Sequence, residues 1–141
     1  LFIGGAGGSW AGYSSGTGRV INMAYVDVAT ASMDHDALGS SLGSFDAWLG
    51  STRTSTLAAL RAQTSEKNAV QVDLGTFAAS IAFPALPTTL FAVPDLRLRA
   101  GGGAVDVGQV LPGINDGYSG TAPDAGAYEL GAALPVYGPR L

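Results

Sequence analysis

The chain opens on a short apolar run, Leu1-Phe2-Ile3, and passes into a stretch rich in glycine and serine. Gly4, Gly5, Gly7, Gly8 and Gly12 cannot sustain a helix. The spacing therefore predicts a strand at Leu1–Ile3 and a long loop behind it. Val20, Ile21, Tyr25, Val26 and Val28 are β-branched or aromatic, which predicts one strand or two short ones within 19–28. Turn residues dominate 29–50, where Phe45, Trp48 and Leu49 mark one further strand. A helix is predicted near 54–63, with Thr54 or Ser55 as its N-cap and Leu57, Leu60 and Arg61 at helical spacing. Val70, Val72 and Leu74 then alternate with polar residues, the period of a half-buried strand. Pro84, Pro87 and Pro94 mark an irregular connector. Two short strands are expected around Leu96–Leu98 and Ala104–Val107, before a turn-rich tail from Pro112. No fixed-period repeat is visible. The pattern predicts one mainly β module over 1–141 with a single short helix.

Composition narrows the chemistry. Charged residues make up 13% of the 141, about half the usual share. Glycine is abundant at 21. Such low-charge, small-residue chains are common among secreted bacterial β-proteins, which points to an extracellular or cell-surface location. The absence of cysteine excludes disulfides, thiolate zinc sites and a cysteine nucleophile. The net charge of −4, with one lysine and no basic patch, argues against nucleic acid as a partner. Apolar runs break well short of the ~20 residues of a membrane span. The chain starts at Leu1 without Met and reads as a mature or excised piece of something longer.

Residues 97–131 carry three spaced units. These are Ala104-Val105-Asp106-Val107-Gly108, Asn115-Asp116-Gly117-Tyr118-Ser119-Gly120, and Pro123-Asp124-Ala125-Gly126-Ala127-Tyr128-Glu129. Together they resemble the closing segment of secreted bacterial right-handed parallel β-helix proteins, the pectate-lyase-like superfamily. Thr56–Arg61 and the run from Lys67 to Phe77 look like material upstream of that ending. The resemblance implies the end of a right-handed parallel β-helix; a β-sandwich-like module is the alternative. It implies that 97–131 caps a stack, and that an uncovered stack end promotes self-association. It also implies carbohydrate-associated function. The expectation is a non-catalytic polysaccharide-binding module or surface-protein end cap. The alternative is a carbohydrate-active enzyme, a polysaccharide lyase or glycoside hydrolase, or a fragment of one.

Trp10, Tyr13, Trp48 and Tyr118 lie in loop-like contexts and are candidates for stacking on sugar rings; anchoring loops to the core is the competing role. Asp106, Asp116 and Asp124 supply hard oxygens suited to calcium, but the EF-hand spacing fails and capping of turns is the simpler reading. Asp34-His35-Asp36 holds the only histidine; in extended backbone the two carboxylates and the imidazole would point to opposite sides, so a turn is preferred. Gly7-Gly8-Ser9-Trp10-Ala11-Gly12 misses the nucleophile-elbow spacing by one residue, and no P-loop exists. A lyase would want an arginine, and Arg53, Arg97 and Arg99 are available without one being singled out. The sequence assigns no catalytic residues.

Overall fold

Closely spaced glycines and turn residues leave room only for strands of three or four residues. The computed structural model describes residues 1–5, 8–10, 13–15, 18–82, 90 and 92–134, with backbone alone at 8–10 and 13–15. Its strands are β1 (Phe2–Gly4), β2 (Gly8–Trp10), β3 (Tyr13–Ser15), β4 (Ile21–Met23), β5 (Ala37–Ser40), β6 (Ala47–Leu49), β7 (Thr52–Thr54) and β8 (Val70–Val72). One helix, α1 (Leu57–Gln63), and a 3-10 turn, Leu74–Thr76, complete the set. The molecule is mainly sheet with one short helix, and its sheets are open rather than closed into a barrel.

The first sheet has the order β1-β5-β8 and is parallel throughout. The second has the order β4-β6-β7, parallel between β4 and β6 and antiparallel between β6 and β7. β2 and β3 form a separate antiparallel pair. The chain thus runs from β1 in the first sheet to β4 in the second, back to β5, out again to β6, and returns at β8. Within the second sheet, the β6–β7 link is a tight hairpin. There Gly50 at φ 58° supplies the left-handed conformation a two-residue hairpin turn requires.

Strand β5 is central and buried at all four positions. Its two faces pack against different layers. Leu38 joins Val20, Ile21, Phe45, Ala47, Leu60 and Ala69, which belong to the side of the second sheet and the helix. Ala37 joins Val72, Leu98 and Ala104, on the side of the terminal segment. A parallel strand covered on both faces need not alternate apolar and polar residues. That is why Ala37-Leu38-Gly39-Ser40 gives no period-two signal. Gly39 is required for a further reason: a Cβ there would lie 2.2 Å from the Val72 carbonyl oxygen.

Several local expectations are corrected. The N-cap is Thr56, whose Oγ1 accepts from the Ala59 N–H at 3.1 Å. Thr54 is instead the buried last residue of β7. Within 19–28 only Ile21–Met23 pairs, because Asp27 turns the chain by accepting from Ala29 N–H at 2.9 Å. The stretch 29–50 holds two strands rather than one. Leu74 does not extend β8, since Asp73 caps the 3-10 turn by accepting from Gly75 N–H at 2.7 Å. Leu98 makes a single bridge to Phe77, and Ala104–Val107 is turn, with Asp106 at φ 58°. Pro84 and Pro87 lie outside the described residues.

The connectors at one end of the first sheet stack on each other. Val70 N–H donates to Asp36 O at 2.8 Å, and Met33 N–H to Ser65 Oγ at 3.1 Å. Asp34 binds Asn68 twice, accepting from its backbone N–H at 2.7 Å and its Nδ2 at 2.8 Å. The terminal segment closes on the same end, where the His35 Nδ1 approaches the Val107 carbonyl oxygen at 3.4 Å.

Candidate functional site

A cleft of about 400 Å³ crosses successive strands at the C-terminal end of the first sheet. Ser40 comes from β5, Gln71 and Val72 from β8, Asp73 and Thr76 from the 3-10 turn, and Arg99 from the segment beyond. Parallel pairing is what brings them together. Side chains one circuit apart in sequence become lateral neighbours when their strands share direction. The lining is mixed in polarity, with hydroxyls, an amide, one carboxylate and one guanidinium. Thr76 is 3% exposed, and its hydroxyl has no hydrogen-bond partner among the described residues. A buried hydroxyl in that condition costs free energy unless something satisfies it.

The arginines are now distinguishable. Arg53 gives Asp46 two hydrogen bonds, at 2.9 and 3.1 Å. Arg97 is paired with Asp95 two residues away. Arg99 has no ion-pair partner among the described residues and lines the cleft. No signal in the sequence separates it from Arg97, since both stand two apart on the same stretch.

Among the described side chains, the aromatic candidates Trp48 and Tyr118 lie in separate parts of the molecule. Trp48 sits on β6, outside the cleft, with the Arg19 and Arg53 guanidinium carbons 5.3 and 5.9 Å from its ring centroid. Both arginines are held by Asp46, at 3.0 and 2.9 Å. The hydrogen bonds from Arg53, opposed next by burial and aided by the hydrogen bond from Arg19, hold the Asp46 carboxyl below the usual carboxylate range. This arrangement packs cations on Trp48. Trp10 and Tyr13 are register partners across β2 and β3, but their side chains lie outside the described structure. Tyr118 is half-buried in the terminal segment. Neither Trp48 nor Tyr118 lines the cleft.

The calcium candidates serve as acceptors for turns. Asp106 Oδ1 accepts from Thr121 N–H at 2.8 Å and from Ala122 N–H at 3.2 Å. Asp124 accepts from Asp106 N–H at 2.9 Å and Leu130 N–H at 2.7 Å. Asp116 accepts from Gly113 N–H at 2.7 Å. Glu129 joins this web, accepting from Asp124 N–H at 2.8 Å. Among the described residues no three acidic or histidine side chains converge as a metal site.

The burial of Glu66 has no signal in the sequence. Glu66 lies in a polar stretch after the helix, yet it is fully buried, and neither carboxyl oxygen makes a well-formed hydrogen bond among the described residues. Burial, then the Asp36 carboxyl and the Asp34 charge, push it up to about 8. Asp34 goes the other way. Burial opposes its ionisation, but hydrogen bonds from Asn68 and the His35 N–H prevail and hold it below the ordinary range.

No protein-family model, curated protein or solved structure matches this chain. Among the described residues no helix is long and apolar enough to cross a membrane.

Proposed function

We propose that the chain is an extracellular, carbohydrate-associated β-module that binds a polysaccharide without acting on it, built as the end of a right-handed parallel β-helix. The observation carrying this reading is the cleft that runs across β5, β8 and the Arg99 segment. A polymer needs a surface that extends over several strands, and hydroxyl, amide and guanidinium groups suit the hydroxyl-rich face of a sugar chain. The alternation of the chain between two sheets, with β1-β5-β8 and β4-β6 paired in parallel, supports the coil reading. The dense turns of 97–131 support the end-cap reading.

An enzymatic role has less behind it, because the cleft offers one carboxylate, Asp73, where glycoside hydrolysis requires a pair. Calorimetry against a panel of soluble glycans, with product release from pectin, alginate and xylan monitored alongside, separates the two readings. Binding without product release, weakened about tenfold or more in Arg99→Ala, is the expected outcome. Product release would establish the enzyme. Absence of binding to every glycan, or binding untouched by the substitution, would remove the cleft from consideration.

A further inference from the structure

The buried carboxyl of Glu66 lies where three levels of the molecule meet. Connector 64–69, between α1 and β8, carries it. Connector 33–36, before β5, faces it with Asp36 and Asp34. The same connector reaches the terminal segment through His35, whose ring meets the Val107 carbonyl. His35 holds this position at φ 61°, with its own N–H donated to Asp34 at 2.9 Å. The imidazole is therefore rigidly tied to the residues that face Glu66. A carboxylate at Glu66 would be buried beside two other carboxylates, and burial together with those charges outweighs the weak contact that the Asp36 backbone N–H offers it. A carboxylic acid there has a proton to give to Asp36.

We propose that Glu66 and Asp36 form a proton-dependent latch: protonated Glu66 holds connector 33–36 against connector 64–69 and, through His35, seats the terminal segment, and loss of that proton to solvent loosens the seat. The charged groups around the pair are accounted for. Lys67 directs its ammonium away to the Arg61 and Ala62 carbonyls, at 2.7 and 3.3 Å. Arg61 is spent on the Ala69 carbonyl. Neither cation neutralises the pair, and Asp34 adds a further negative charge beside it. The latch operates whatever the cleft binds.

The sign follows from linkage. When the latch is open, Glu66 ionises in the ordinary carboxylate range; when closed, only near the value given above. The closed form therefore weakens as pH rises between those two points and changes no further beyond the upper one. Hydrogen exchange of the Val105–Gly108 amides, corrected for intrinsic rates, reads this directly. Protection in the wild-type chain is expected to fall by about tenfold per pH unit from about pH 5 to about pH 8, and then to level off. Glu66→Gln, which retains His35 and both aspartates, is expected to remove that fall. The inference is overturned if wild-type protection does not depend on pH in this window, or if the dependence survives in E66Q. Should E66Q not fold, Asp36→Asn takes its place. Levelling off at a lower pH supports the latch, and an unchanged profile overturns it.

Discussion

Asp106 illustrates how much one side chain carries in a segment without regular structure. It sits in left-handed backbone, donates its N–H to Asp124, and accepts from two consecutive amides with one oxygen. Its carboxyl also fills the space beside Gly120, where a Cβ would approach to 2.2 Å. Asp106→Ala is expected to lower stability by ~1–3 kcal/mol in chemical denaturation, through orphaned amides and a strained alanine. Calcium added to the wild-type chain is expected to leave the midpoint unchanged. A clear stabilisation by calcium would restore Asp106, Asp116 and Asp124 as ligands. The turn-capping role was legible in sequence, because an aspartate followed closely by glycine has one dominant local use. Glu66 was not legible. A Thr-Ser-Glu-Lys-Asn run reads as solvated surface, and only the stacking of connectors distant in sequence buries its one glutamate.

At the level of elements, visibility depended on whether the information was local. The helix and Val70–Val72 were readable because helical spacing and a period of two are written within a few residues. Strand β5 was missed because its four residues are small or buried on opposite sides, so its identity rests on neighbours contributed by other circuits. Gly39 tests this. Replacing it by alanine drives a methyl group into the Val72 carbonyl and should disrupt β5–β8 pairing. A loss of ~2 kcal/mol or more is expected in thermal or denaturant unfolding, beyond the propensity gain that alanine usually brings. A neutral substitution would mean that β5 and β8 lie further apart than described. The cleft was hidden for the same reason as β5: Ser40, Gln71 and Arg99 become neighbours only through pairing between strands.

For the whole molecule, the prominent open feature is the outer edge of the first sheet. Among the described residues β1 pairs only with β5, and Phe2 on that edge is 52% exposed. An unprotected parallel edge recruits further strands. Self-association is therefore part of the proposed reading, with concentration-dependent sedimentation as its expected signature and Phe2→Lys as the substitution that weakens it. A single species at all concentrations would exclude that role for β1. The β-rich class was legible from composition and residue type, whereas the pairing directions were not, because parallel partners such as Phe2 and Leu38 share no local signal.

The central position of β5 has a consequence for synthesis. Its first neighbour, β1, precedes it in the chain, but its second, β8, follows only after the helix, and the residues covering its other face, Leu98 and Ala104, come later still. During synthesis from the N-terminal side, β5 thus stays half-clothed until Leu98 and Ala104 have emerged. Nothing shorter can close the core, so the nascent molecule must be kept from its neighbours during that interval, and a truncated product would be expected to aggregate rather than persist as a smaller folded unit.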